Sequence, residues 1–148
     1  DRLRSRGLGD VYKRQGREMI YYNVEVTQIA EQDYYKAEAY IKYELYNQKA
    51  AAGLAKKLHE AINDLSFFPT KYPICNDDFL RVWEIRFVPV NNYLLFYIVR
   101  EDEKIVYVLR FLYSRRNWQK ILRKHLEDEI FDLTTHYIQE ETEKYGAK

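Results

Sequence analysis

The 148-residue chain has one cysteine, Cys75, and its longest apolar run is the short stretch from Tyr93 to Val99. A lone cysteine excludes a disulfide framework within the chain and any zinc site built from cysteines alone. A membrane-spanning helix needs roughly 18 consecutive apolar residues, so none is expected. The N-terminal stretch also lacks the apolar core of about 7–15 residues that a secretory signal peptide requires. No sign of charge dominates, since the formal net charge is +1. What is present is a core-forming composition, with 47% hydrophobic, 32% charged and 16% aromatic residues. That balance excludes a disordered acidic or basic tail, and the length suits one domain. A soluble, cytoplasmic domain is the expectation.

The near-neutral total hides a segregated charge pattern. Residues 1–18 carry six basic and three acidic groups, and residues 19–80 carry six and nine. Residues 81–124 carry ten and four, and residues 125–148 carry two and seven. A strongly basic block therefore lies between two acidic ones, and it is the place to look for a polyanionic target.

The first eighteen residues show neither helical nor strand periodicity. The run Asp10-Val11-Tyr12-Lys13-Arg14-Gln15 resembles the translation of an adapter used in sequencing libraries. Residues 1–18 are accordingly expected to be a non-native leader, with Met19 as the true start. The alternative is a native basic arm that grips nucleic acid.

From Tyr21 to Ile29 apolar and polar residues alternate, as in a half-buried strand. From Ala30 the period becomes helical, with Ala30, Tyr34, Ala37, Ile41 and Leu45 on one stripe. A second stripe follows through Ala51, Leu54, Ala55, Leu58, Ala61, Ile62 and Leu65, and Tyr46-Asn47-Gln48 is the joint of an α-hairpin. Gly53 interrupts this second helix at a cost of about 1 kcal/mol. Pro69 and Pro73 end helical structure. Strands are then expected at Leu80 to Val88, Tyr93 to Val99 and Ile105 to Tyr113, with turns at Asn91-Asn92 and residues 101–104. Ser114 or Asn117 can cap a last helix carrying Trp118, Ile121, Leu122, His125 and Leu126, continuing through Ile130 and Leu133. The order β-α-α-β-β-β-α predicts an α+β layered domain in which an α-hairpin and a curved antiparallel sheet share one core. Domain 19–126 is followed by an acidic extension, 127–148. That extension is either solvated or folded back over the basic block.

Two stretches resemble signatures of the RelE/ParE superfamily of bacterial toxins from type II toxin–antitoxin pairs. Arg86-Phe87-Val88-Pro89-Val90-Asn91-Asn92-Tyr93-Leu94-Leu95-Phe96-Tyr97 is similar to its arginine–turn–aromatic strand. Val108-Leu109-Arg110-Phe111-Leu112-Tyr113-Ser114-Arg115-Arg116-Asn117-Trp118 is similar to its closing strand and basic segment. Phe67-Phe68-Pro69 fits the family's proline loop after the second helix. The resemblance implies a growth-inhibiting toxin in a hetero-oligomer with a cognate antitoxin. It implies one of two targets, the ribosome with its mRNA, cleaved in the decoding site, or DNA gyrase, poisoned without nuclease activity. Ribosome-dependent mRNA cleavage is the leading expectation.

Metal-independent RNA cleavage needs a base for the ribose 2′-hydroxyl, an acid for the leaving oxygen and cations for the phosphorane. Arginine suits the last role through its bidentate fork. Arg86 and Arg110 each interrupt an apolar strand, where an arginine is costly unless it meets an anion or a carboxylate. Either they serve catalysis, or one pairs with Glu84 or reaches the sheet edge. Tyr113 stands where many relatives carry histidine, and Arg115 and Arg116 beside it would favour its phenolate. Glu84 is the other candidate base, expected on the strand and face of Arg86. Arg81, Arg115, Arg116 and Trp118 are the nucleic-acid-binding candidates. Their plainer readings are a strand-end charge for Arg81, a solvated turn for Arg115 and Arg116, and core packing for Trp118. The tyrosines at 34, 40, 93, 97 and 107 have core-type spacing. His59, His125 and His136 have no ligand-like spacing to one another or to Cys75, so no metal and no cofactor are expected.

Overall fold

A computed structural model describes residues 20–129. The leader 1–18, Met19, His136 and the acidic residues 130–148, with Ile130 and Leu133, lie outside the described residues. The proposed folding back of the extension lies there too.

Strand β1 (Asn23–Val26) ends at Thr27, whose side chain accepts from the Ala30 amide and so caps helix α1 (Gln28–Ala39). A threonine cap at this point explains why the alternating pattern stops short of Ile29: the hydroxyl satisfies an amide that the first turn of the helix would otherwise leave unpaired. Helix α1 runs on as a π-turn, Tyr40–Glu44, closed by donation from the Leu45 amide to the Tyr40 carbonyl at 3.1 Å. Tyr46 then takes a left-handed conformation (φ 50°), and Asn47 caps α2 (Gln48–Phe67). The α-hairpin joint is where the sequence places it.

The segment after the proline loop departs from expectation. Residues 78–82 form a short helix, α3 (Asp78–Val82), in place of the first half of a strand. The Asp77 carboxylate accepts from the amides of Phe79 and Leu80, both at 3.0 Å, and this cap sets the turn. Leu80 and Ile85 are both fully buried; five residues apart they would fall on opposite faces of one strand, and only Ile85 leads into one. Three strands follow: β2 (Arg86–Val90), β3 (Tyr93–Arg100) and β4 (Ile105–Tyr113). They form an antiparallel meander turning at Asn91 (φ 53°) and Lys104 (φ 54°).

The sheet order is β1-β4-β3-β2, and β1 pairs parallel to β4, from Asn23 opposite Ile105 to Val26 opposite Val108. The sheet is therefore mixed, not wholly antiparallel: the α-hairpin is the crossover that lets the first strand run alongside the last. A register shift between Phe96 and Tyr97 leaves Leu109 as an extra residue in β4. One face of the sheet packs on the hairpin through Val24, Ala30, Ala37, Leu54, Leu58, Ile62, Leu95, Tyr97 and Val108.

Of the five tyrosines with core-type spacing, Tyr97 is fully buried, Tyr34 and Tyr93 are half-buried against the core, and Tyr107 is partly exposed. Tyr40, where the π-turn begins, is exposed, and Leu45, which the wider turn carries past the position the stripe assigns it, is exposed too. The chain divides after Arg116, and the second unit contains a helix α4 over residues 118–129. Asn117 caps it by accepting from the Lys120 amide at 3.3 Å, while Leu122 and Leu126 are its buried positions.

Candidate functional site

The parallel pairing of β1 reaches Val108 and no further. From there α1 supplies side chains to the open edge of β4. The Thr27 hydroxyl donates to the Leu109 carbonyl at 3.3 Å, and the Phe111 amide donates to Asp33 Oδ2 at 3.0 Å. Asp33 also takes both arms of Arg110, Nε to Oδ2 at 2.7 Å and Nη2 to Oδ1 at 2.9 Å. The side chains are 16% and 11% exposed, so the pair is largely shielded from water. The expected pairing with Glu84 is not what Arg110 makes; its carboxylate partner is Asp33 on α1.

Arg86 begins β2, where its guanidinium donates to the carbonyls of Thr70 and Tyr72 in the proline loop. Opposite it in the ladder, the Tyr97 hydroxyl donates to the Pro69 carbonyl at 2.6 Å. Two adjacent side chains thus hold three carbonyls of a segment with little regular structure of its own. Burial pushes the Tyr97 phenol far up, against a smaller downward pull from Arg86.

Glu84 is not on the strand of Arg86. It is exposed in the turn after α3, in a left-handed conformation (φ 55°), and its amide donates to the Arg81 carbonyl. The expected shared face fails because the tight turn comes before the strand starts. Arg81 is exposed on α3 and donates to the Asn76 side chain. Trp118 is half-buried at the start of α4. His59 is exposed on α2; His125 is half-buried and faces Glu129 one turn on at 3.5 Å. Among the described residues no three His, Cys, Asp or Glu side chains converge as metal ligands would.

The structure does bring Tyr113 and Arg116 together, on an open groove of about 550 Å³. One wall is α1 and its π-turn, with Asp33, Lys36, Ala37, Tyr40, Ile41 and Leu45. The other is the sheet end, where Tyr93 stacks on Phe111 at 4.9 Å and meets Tyr113 edge-on at 5.5 Å. Burial, followed by the neighbouring Tyr113 and Tyr40, pushes the Tyr93 phenol upward, so it is held protonated. Arg115 is exposed in the turn beside the groove. Among the described residues the only carboxylate lining the groove is Asp33, already engaged by Arg110, and no histidine lines it.

Asp33 and Lys36 are the groove residues that sequence reasoning missed. The signal was an acidic residue next to an apolar helical stripe, but nothing local names a partner 77 residues away.

Residues 24–118 match the family described as ParE toxin of type II toxin–antitoxin system, parDE. The match spans well over half of the chain, which therefore belongs to that family of toxins. No curated protein matches the chain significantly. Among the described residues no helix is long and apolar enough to cross a membrane.

Proposed function

We propose that this toxin, which as a type II member has an antitoxin partner, arrests growth by binding its target and not by cutting RNA, and that the target is DNA gyrase. The observation that carries this reading is the bidentate pairing of Arg110 with Asp33. A nuclease would need that arginine free for a phosphorane and a carboxylate or imidazole free to take a proton. The pair occupies Arg110, one of the candidate cations, and ties up the Asp33 carboxylate that lines the groove. Arg86 is likewise occupied by loop carbonyls, and Glu84 lies in a turn outside β2. Membership of the ParE toxin family supports the same choice. One observation favours the mRNA-cleavage reading: Tyr113 and Arg116 share one groove with Arg115 exposed beside it.

Inducible expression with parallel pulse-labelling of protein, RNA and DNA separates the two. Early arrest of DNA synthesis with an SOS-type response and continuing translation is the expected result. Protein synthesis stopping first overturns the gyrase reading in favour of mRNA cleavage.

A further inference from the structure

Phe111 lines two spaces, the groove and a separate cavity of about 50 Å³ between the α-hairpin and the sheet. The deep end of that cavity is completed by Ala30, Leu58, Ile62, Leu95 and Val108, all buried. Two α1 residues form its rim, the half-buried Glu31 and the exposed Tyr35. Closely packed interiors leave few voids larger than one water, because atoms facing empty space forfeit their dispersion contacts. This one has room for roughly three to four water-sized spheres, and it lies where both hairpin helices meet the sheet.

Water is a poor occupant, since a buried water needs about two to four polar partners. The Tyr34 hydroxyl is engaged elsewhere, donating to Glu38 at 2.9 Å, and burial with that bond keeps the phenol protonated. Among the described lining residues, the side-chain polar groups that remain are the Glu31 carboxylate and the Tyr35 hydroxyl, both at the rim. The deep end is hydrocarbon and takes an alkyl chain. It is too small for an aromatic ring, because a cavity that binds benzene measures about 150 Å³. Glu31 and Tyr35 stand one helical turn apart, so they are neighbours on the α1 surface. A carboxylate beside an aromatic ring suits an ammonium group, the first through its charge and the second through a cation–π contact. The geometry points to a binding site for a primary alkylammonium compound, with an unbranched tail of about three to five carbons in the cavity and the ammonium between Glu31 and Tyr35. Glu31 also stands in the first turn of α1, where a carboxylate suits the helix dipole without any ligand. The test separates these two roles. The site is independent of the choice between gyrase and mRNA.

The experiment titrates n-butylammonium chloride into the full chain and follows the methyl NMR signals, with n-butanol as the neutral probe of the same length. Saturable shifts are expected at the methyls of Ala30, Leu58, Ile62, Leu95 and Val108, with a Kd on the order of 1 mM. The alcohol is expected to bind at least threefold more weakly. Glu31→Gln should weaken butylammonium binding at least threefold and leave the alcohol unchanged, a split that a purely dipolar role would not produce. Ala30→Met places a flexible, gap-filling side chain in the cavity and should abolish binding of both probes, with its melting temperature reporting on folding. Should that variant fail to fold, the Glu31→Gln split decides. Absence of saturable shifts at those methyls overturns the inference. Equal affinity for the two probes also overturns it, as does unchanged butylammonium affinity in Glu31→Gln.

Discussion

Asp33 on α1 and Arg110 on β4, 77 positions apart, form a bidentate ion pair whose carboxylate also accepts the Phe111 amide at 3.0 Å. One side chain thereby does three jobs: it neutralises a strand arginine, continues the hydrogen bonding of β4 past the end of β1, and fixes α1 over the sheet.

Removing either partner leaves a poorly solvated charge, and removing Asp33 also orphans an amide. Asp33→Ala and Arg110→Ala are each expected to cost about 3 kcal/mol in urea unfolding. The double variant should cost clearly less than the two losses added together, because the second truncation removes the stranded charge. Additive losses would show that the two side chains do not stabilise one another.

Gly53 is exposed in the middle of α2, and a methyl added there meets nothing within 4 Å. Gly53→Ala should therefore raise stability by about 1 kcal/mol through reduced chain entropy and better helix propensity. A rise in melting temperature without loss of toxicity is the expected result.

The proline loop should loosen when its side-chain ties are cut. Tyr97→Phe removes the hydroxyl that donates to the Pro69 carbonyl and is expected to cost about 1–2 kcal/mol. Arg86→Ala should act on the same segment. Hydrogen exchange at the Cys75 amide, which donates to Ile85 across the base of the loop, should quicken in both variants. Unchanged exchange in both would show that the loop is held by other contacts.

Alkaline pH should destabilise the protein in two stages. Burial pushes the Cys75 thiol from its ordinary 9.0 up to about 11. Burial is also the main cause that lifts the phenols of Tyr34, Tyr93 and Tyr97 above 10.0, while a hydrogen bond to Glu101 leads for Tyr22. In each case the fold favours the protonated form, so its contribution is intact below the unfolded-state value and lost as pH rises. Melting temperature should hold to about pH 9, fall gently as the unfolded thiol ionises, and fall steeply once the tyrosines do. Cys75→Ala should remove the first stage only.

The sequence made the local features legible. The α-hairpin stripes, the joint at Tyr46-Asn47-Gln48, the turns at Asn91-Asn92 and residues 101–104, and the helix cap at Asn117 depend on neighbours a few residues apart. The strand expected from Leu80 failed for a local reason of its own: the Asp77 carboxylate caps a helical turn over residues 78–82, so the strand begins only at Arg86. Leu45 fits the apolar stripe until one extra residue in the helical turn rotates it outward. Single-sequence periodicity carries no sign of such a turn.

Composition and patterning alone determined an α+β chain of this element order, with its cations gathered between residues 81 and 124. Tertiary structure alone decided what those cations do. Arg110 met Asp33 only because the hairpin crossover laid α1 along the edge of β4 beyond the last residue of β1. Arg86 met the loop carbonyls only because β2 starts beneath the proline loop. An arginine in an apolar strand announces that it needs a partner, since burying it alone is too costly. The identity of that partner depends on chain topology, which brings together residues far apart in sequence. That same topology places Lys36 and Arg116 on the tyrosine-lined groove, beside the Asp33 that Arg110 already holds.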